Sequence, residues 1–266
     1  MKVIVIESSK GGVGKTTTTI NISSVFSFNG IKTAIVDADN QGTSIEFGGA
    51  ARTNVISSLE AEFNSKISNI GDYNEFTANK ILENSRKKLE ILDNMKNLVV
   101  DKVDLKGETN SASAIRIMEK YIDGYQKKGF QLLIFDMKGE HTPVNDFIRK
   151  RADLTILMTD NGLYSLRSVL RNVVLPNKET MSKSRVLYLN QHKGGEEDKA
   201  ERQYFKDAIE EIVKPIGEIS YMSVYRKNAE KGFGVIESFD GSPATKKAQN
   251  EINELAIKIN NILKGE

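Results

Sequence analysis

The chain has 266 residues, 39% of them hydrophobic, so it is long enough to bury a substantial core. It contains no cysteine, which excludes disulfides, thiolate metal sites, iron–sulfur clusters and thiol catalysis. The 38 basic and 36 acidic residues nearly cancel, so any binding to nucleic acid must come from a local basic patch. No apolar run is long enough for a signal peptide or a membrane span, and we therefore expect a cytoplasmic protein that does not bind membranes.

The first predicted elements are a strand, a glycine-rich loop and a helix. The apolar run at residues 2–6 predicts a buried strand, and residues 15–28, which contain neither Pro nor Gly, predict a helix. Between them lies the sequence KGGVGKTTT, at residues 10–18. Glycines allow backbone N–H groups to turn inward around an anion, and a helix N-terminus adds its positive dipole end. The loop is therefore predicted to bind phosphate, with Lys15 reaching the β- and γ-phosphates and the Thr16 hydroxyl holding Mg²⁺.

Two details distinguish this loop from the usual phosphate-binding pattern GxxxxGK[ST]. The position six residues before Lys15 is Ser9 rather than Gly, and a second lysine, Lys10, opens the loop. A glycine-rich turn without a ligand is disfavoured, because two lysines in one tight loop would repel each other without compensation. A dinucleotide-binding loop is also disfavoured, because Thr17 stands where that motif needs its third glycine.

Carboxylates follow two later predicted strands. The strand at residues 32–36 leads into Asp37 and Asp39, and the strand at residues 131–135 leads into Asp136. Ligands of open parallel sheets bind beyond the carboxyl ends of the strands, so we expect these side chains to face the crevice of the glycine loop. An apolar strand that ends in Asp is typical of the Walker B motif, whose carboxylate supports the Mg²⁺ shell. Asp136 is therefore predicted to support the Mg²⁺ shell.

The rest of the chain predicts alternating helices and strands, although the polar segment at about 50–110 gives a weak signal. The further predicted elements are a charged helix at 78–92, an edge strand at 97–103, a helix around 115–125, strands at 154–158 and 185–189, a helix at 164–175 between them, and a C-terminal helix whose apolar stripe docks on the core. This alternation predicts an α/β fold with a doubly wound, mostly parallel sheet flanked by helices. We expect one domain over residues 1–266.

The motifs resemble those of one protein family. KGGVGKT, at residues 10–16, resembles the deviant Walker A motif KGGxGK[ST] of the ParA/MinD group of P-loop ATPases. VDADNQG, at residues 36–42, is similar to that family's motif DxDPQG, with Asn40 in place of the proline. LLIFD, at residues 132–136, resembles its Walker B strand. The resemblance does not cover the segment at about 50–110.

The resemblance implies roles for individual residues. Lys10 would reach into the nucleotide site of the other subunit of an ATP-bound homodimer. Asp37 would support the Mg²⁺ shell, Asp39 would orient the attacking water, and Asn190 would contact adenine. Catalysis is thus assigned to Lys10, Lys15 and Asp39, the metal to Thr16, Asp37 and Asp136, and the nucleotide to Lys10, Gly11, Gly12, Val13, Gly14, Lys15, Thr16, Thr17 and Asn190.

The resemblance also implies a function. The family's partition ATPases bind ATP and Mg²⁺, bind DNA non-specifically as ATP-bound dimers on the nucleoid, and hydrolyse ATP slowly until a ParB-like centromere-binding protein stimulates them. Arg226 and Lys227 match the family's Arg-containing segment after the last strand, and we predict that they bind DNA. Because the first strand begins at residue 2, we expect the short form of the family, without an N-terminal helix-turn-helix domain.

Two alternatives remain open. A MinD-like positioning ATPase would bind a membrane through a basic amphipathic tail, and the final residues INNILKGE contain few basic residues. A nucleotide-gated scaffold with negligible turnover is the other alternative. It is suggested by residues 137–141, where Met-Lys-Gly-Glu-His replaces the Thr-Pro-Pro that the family usually has after its Walker B Asp.

Overall fold

The computed structural model describes residues 1–38, 50–103, 110–138, 142–190 and 199–266. Within these residues seven strands form one sheet, and every neighbouring pair is parallel. The order across the sheet is β3-β2-β4-β1-β5-β6-β7. The strands are β1 (Lys2–Ser8), β2 (Thr33–Asp37), β3 (Leu98–Lys102), β4 (Leu132–Lys138), β5 (Leu154–Asp160), β6 (Ser184–Asn190) and β7 (Pro215–Ser220).

Helices connect the strands, as the parallel pairing requires. Those in the described residues are α1 (Lys15–Phe28), α2 (Ala50–Ser68), α3 (Glu75–Met95), α4 (Ser111–Lys127), α5 (Pro143–Arg151), α6 (Leu163–Val169), α7 (Lys199–Glu210), α8 (Ser223–Ala229) and α9 (Pro243–Lys264). After α6 the chain continues as a π-helical stretch, Leu170–Val174, and then in 3-10 turns, Leu175–Lys183. Pro176 lies in those turns and cannot donate a backbone hydrogen bond. The predicted α/β fold with a doubly wound parallel sheet is confirmed.

The sheet is covered on both faces, which explains why its central strands are apolar without interruption. On β1, Ile4 and Ile6 face one side, where they belong to a core with residues of α1 and α9. Val3 and Val5 face the other side, where they belong to a core with residues of α4 and α5. No described helix is long and apolar enough to cross a membrane.

The loop after β1 lies at the point where the strand order reverses, so that strands are added first on one side of the sheet and then on the other. From β1 the chain passes through α1 to β2 on one side, and β5 lies on the other side. Asp136 of β4 is in register with Ile6 of β1 and with Asp37 of β2. The carboxyl ends of these three strands therefore meet, and in open α/β sheets ligands bind at such a switch point.

The segment with the weakest sequence signal is well formed where the structure describes it. Helices α2 and α3 pack on each other through Ile56, Phe63, Leu92 and Met95. The predicted helix at 78–92 lies within α3, and the predicted edge strand at 97–103 corresponds to β3, so both predictions are confirmed. Helix α2 was not predicted.

Arg52, in the first turn of α2, attaches this helical pair to the rest of the fold. Its guanidinium donates to Glu237 Oε1 at 2.5 Å and Oε2 at 2.8 Å, and both side chains are buried. The same group donates to the carbonyl oxygens of Met95 at 2.7 Å and Gly232 at 3.0 Å. A buried charge is tolerated only when it is paired in this way, and removing one partner leaves the other uncompensated.

We expect Arg52→Ala to lower the free energy of unfolding by about 3–5 kcal/mol, because Glu237 would remain buried without its partner. Urea denaturation followed by circular dichroism measures this change. Arg86→Ala, which removes an exposed arginine of α3, is the control and should change stability by less than about 0.5 kcal/mol. Equal effects of the two substitutions would contradict the anchoring role of Arg52.

Candidate functional site

The loop between β1 and α1 has the backbone conformation that its glycines make accessible. Gly12 has φ 77° and Gly14 has φ 80°, both in the left-handed region that residues with side chains rarely adopt. A Cβ atom on Gly14 would also lie 3.3 Å from Leu189 Cδ2. Helix α1 begins immediately afterwards, at Lys15, so its first backbone N–H groups point toward the loop. The loop thus has the geometry of an anion site.

Lys15 and Thr16 meet the Walker B carboxylate at the start of α1. The Lys15 ammonium forms an ion pair with Asp136 Oδ1, and the Thr16 hydroxyl donates to Asp136 Oδ2 at 2.7 Å. Asp136 is only 1% exposed, so these two contacts hold a charge that is almost completely out of water. Three residues predicted from two separate motifs therefore lie together in the fold.

The oxygen atoms at this point suit magnesium. Asp37 is as deeply buried as Asp136 and lies in register with it on the neighbouring strand. Magnesium in nucleotide sites uses one or two protein carboxylates, a hydroxyl, waters and the phosphates themselves. Among the described residues no group of three or more His, Cys, Asp or Glu side chains forms a complete metal cage. The donors fit an ion that binds together with a nucleotide, held by Thr16, Asp136 and Asp37.

Lys10, the second lysine of the loop, does not join Lys15 at Asp136. Its ammonium contacts Asp160 Oδ2 at 3.2 Å and donates to Ser165 Oγ at 2.9 Å, at the end of β5 and the start of α6. Burial by itself would raise the pKa of Asp160, but hydrogen bonds from Ser165 and the Gly162 N–H, together with Lys10, hold this pKa below its ordinary value. The Lys10 side chain is 47% exposed, so the lysine lies at the rim of the site.

A cavity of about 400 Å³ extends from the loop toward β7. This volume lies in the range of small-molecule sites. Its lining residues come from the loop and α1, from the ends of β6 and β7, and from α8 and α9: Lys10, Gly11, Gly12, Gly14, Lys15, Thr16, Thr17, Thr18, Asn21, Leu189, Ile219, Ser220, Tyr221, Met222, Tyr225, Arg226 and Ile252. The cavity therefore leads from the phosphate loop to an apolar and aromatic wall.

The structure places the other predicted residues as follows. Val13 is buried in the core beneath the loop. Asn190 is exposed at the end of β6, its backbone oxygen accepts a hydrogen bond from the Tyr221 N–H at 3.3 Å, and it is not among the lining residues. Its contact with adenine stays a prediction. Asp39 and residues 139–141 lie outside the described residues.

Arg226 and Lys227 lie on α8, beside the mouth of the cavity. Both are exposed, and Arg226 lines the cavity. Arg226 Nε donates to Glu230 Oε1 at 2.7 Å within the same helical segment. The two side chains form a small basic surface next to the site, and their binding to DNA stays a prediction.

Sequence reasoning missed two groups around the site. Asp160 and Ser165 are the partners of Lys10, and only the apolar strand ending in Asp160 could have indicated one of them. Glu7, which is completely buried at the end of β1, accepts hydrogen bonds from Arg149 of α5 at 2.7–3.1 Å. In the sequence, Glu7 stands out as a charged residue inside an otherwise apolar strand, which could have indicated a buried ion pair. This pair fixes α5 against the strand that leads into the loop.

Comparison with known proteins adds the following. A family model described as an AAA domain matches residues 1–185, and no curated protein sequence matches. A chain of the MinC:MinD cell division protein complex of Aquifex aeolicus is 18% identical, with a TM-score of 0.61 over 100% of this chain and 96% of that chain. A ParA family ATPase from Chlorobium tepidum TLS is 14% identical, with a TM-score of 0.61 over 96% and 98% of the two chains.

A third structure comes from Borrelia burgdorferi B31. It is described as a putative plasmid partition protein bound to AMPPNP, and it is 16% identical, with a TM-score of 0.57 over 97% of this chain and 98% of that chain. At these identities the likeness to the solved structures concerns the fold. Together with the family match, it identifies the architecture in which the loop, Lys15, Thr16 and Asp136 lie.

Proposed function

We propose that this chain, which belongs to the AAA domain family, is a ParA/MinD-type, Mg²⁺-dependent ATPase that forms an ATP-sandwich dimer. Its loop motif and the fold that it shares with MinD and ParA family structures support this assignment. As that dimer it binds DNA non-specifically, and after hydrolysis it releases the DNA, which drives partition of a plasmid or similar replicon. Hydrolysis is slow in the protein alone and is stimulated by a ParB-like centromere-binding partner.

One observation carries this proposal: the loop contains two lysines with different surroundings. Lys15 is nearly buried against Asp136, and a phosphate group would replace this carboxylate as its negatively charged partner. Lys10 is half exposed at the rim, where it contacts Asp160 of β5 and Ser165 of α6 instead. A cation in that position suits the nucleotide of a second subunit, because two copies related by a two-fold axis would each supply one lysine to the other.

The described residues account for nucleotide binding in the following way. Lys15 exchanges Asp136 for the β- and γ-phosphates, and the loop N–H groups surround the phosphate oxygens. Thr16, Asp136 and Asp37 would hold Mg²⁺, which would neutralise negative charge on the phosphates. Asp39, which lies outside the described residues, is assigned the alignment of a water with the γ-phosphate. Phosphoryl transfer is catalysed mainly by positioning and charge stabilisation. These residues supply both, which is consistent with slow hydrolysis.

The C-terminal helix supports a role on DNA over a MinD-like role on a membrane. The apolar stripe of α9 includes Ala248, Ile252, Leu255 and Ile259, all of which are buried in the core with residues of α1 and the sheet. An interfacial helix would need that stripe free to enter the lipid. The exposed basic pair Arg226–Lys227 at the mouth of the site instead offers a surface for phosphates of DNA.

We expect Lys10→Ala to bind ATP but to remain monomeric, because the variant keeps Lys15 and loses the charge that bridges the subunits. Light scattering with ATP, with ADP and without nucleotide gives the mass of each species. Lys120→Ala, an exposed lysine on α4, is the control and should dimerise with ATP like the parent. The trans-acting role is wrong if Lys10→Ala dimerises with ATP as well as the parent does.

We expect Arg226→Ala to weaken binding to all DNA sequences alike, because phosphate contacts carry no base information. Each lost phosphate contact should make the plot of log affinity against log salt shallower by about 0.9. Retention of random DNA duplexes at several salt concentrations, with ATP or ADP, measures this. Arg116→Ala on α4 is the control. Binding that is insensitive to salt, or equal in ATP and ADP, would contradict DNA binding by the dimer.

We expect Asp39→Ala to bind ATP, dimerise and bind DNA while its turnover falls about 100-fold or more, since a misplaced attacking water costs a rate factor of that order. Phosphate release with and without DNA and the partner measures turnover. Asp72→Ala, an exposed residue between α2 and α3, is the control. Hydrolysis by Asp39→Ala at the parent's stimulated rate would move the water-positioning role to Glu140. Absence of turnover in the parent under every condition would instead support the nucleotide-gated scaffold.

A further inference from the structure

The wall of the cavity farthest from the phosphate loop is organised by a carboxylate on the C-terminal helix. Glu251 of α9 accepts a hydrogen bond from the Ser220 N–H at 2.9 Å and one from the Ser220 hydroxyl at 2.7 Å. It also accepts the Tyr225 hydroxyl at 2.9 Å. Ser220 and Tyr225 line the cavity, whereas Glu251 lies behind them and is not among the lining residues.

These contacts determine which hydrogen-bonding groups the wall can offer. An ionised carboxylate only accepts hydrogen bonds, so each neighbouring group must act as the hydrogen-bond donor. The Ser220 hydroxyl has one hydrogen, and it is directed to Glu251 Oε1. The Tyr225 hydroxyl also has one hydrogen, which is shared between Glu251 and the Ala248 carbonyl at 3.0 Å. On the cavity side, therefore, Ser220 Oγ has only lone pairs left and can act only as an acceptor.

This part of the cavity suits the base of a nucleotide whose phosphates lie at the loop. Strand β7 lies three strands from β1, and at a spacing of about 4.8 Å per strand this is roughly 14 Å. Ile219, Met222 and Ile252 give the wall an apolar surface for a flat ring. Arg226 also lines the cavity and is a donor, but it is mostly exposed and its Nε is paired with Glu230, so its remaining N–H groups compete with water. Ser220 directly follows Ile219 and is a polar group of this wall whose hydrogen bonds are fixed from behind by Glu251.

We propose that Glu251 sets the base selectivity of this site by keeping Ser220 an acceptor, so that the cavity prefers a purine with an amino group at position 6 over one with a keto oxygen there. The inference rests on the proposed binding of nucleotide with its phosphates at the loop. An amino group donates to Ser220 Oγ, whereas a keto oxygen would face another lone pair. Glu251 acts through Ser220 and is a specificity-determining residue that does not touch the ligand.

The test compares ATP with inosine triphosphate, which carries the keto oxygen at position 6 and lacks the 2-amino group of guanine. Mg²⁺-dependent binding of each is measured by competition against a fluorescent ATP analogue. We expect the parent to prefer ATP by about tenfold or more, since leaving a polar group of the site opposite a mismatched group costs about this much. In Glu251→Gln the amide oxygen still accepts the Ser220 N–H, while the amide N–H donates to Ser220 Oγ. The serine hydrogen is then released toward the cavity, and the preference should fall to about threefold or less.

Two further variants make the outcome decisive. Ser220→Ala removes the acceptor and should also reduce the preference, without depending on how the amide of the Glu251→Gln variant is accommodated. Glu254→Gln, the same change at an exposed position of α9, should keep the parent's ratio. Equal binding of both nucleotides by the parent, or an unchanged ratio in Glu251→Gln and Ser220→Ala while ATP still binds, would overturn this inference alone. Failure of the parent to bind MgATP would overturn the proposed function and, with it, this inference.

Discussion

The buried carboxylate of Asp136 is the interaction on which the site depends. Asp136 lies on β4, between β2 and β1, and almost no water reaches it. A buried charge requires compensation, and two compensating groups, Lys15 and Thr16, come from the first turn of α1. The strand order thus brings one carboxylate to the helix that follows the glycine loop. A nucleotide with its metal would replace a contact that the protein makes within itself.

A second set of buried polar contacts connects the cavity to the helical pair α2–α3. Asn21 of α1 lines the cavity, donates to the Thr17 carbonyl at 2.7 Å and accepts the Val235 N–H at 2.7 Å. Two residues further on, Glu237 binds Arg52 at the start of α2. The chain enters α2 directly from residues 39–49, which include Asp39. Arg52 therefore fixes the first turn of α2 against the segment around Glu237.

The C-terminal helix has two roles, and its sequence pattern indicated only the first, the packing of its apolar stripe. Its apolar stripe completes the core on the side of α1, which explains why the stripe continues along the helix. Its polar residue Glu251 reaches Ser220 and Tyr225 at the wall of the cavity. The helix that closes the core thereby also orders the hydrogen bonds at the proposed base site, so packing and recognition are coupled through one element.

The sequence by itself determined the phosphate loop, the strands that surround it and the parallel fold, because each of these depends on residues that are close together in the chain. Glycines at fixed spacing, a lysine and threonine at a helix start, and apolar strands ending in Asp37 and Asp136 are local patterns with local physical causes. The same reasoning could not find helix α2, whose weak amphipathic pattern is stabilised by packing on α3.

Only the tertiary structure decided which distant groups pair. Lys10 meets Asp160 across 150 positions of sequence, and Arg52 meets Glu237 across 185. Glu251 meets Ser220 across 31 positions. Each of these partners is charged or polar at a place where the sequence shows only a strand end, a helix or a loop. Their pairing follows from the order of the strands and from the faces on which the helices pack, and no spacing along the chain specifies that arrangement.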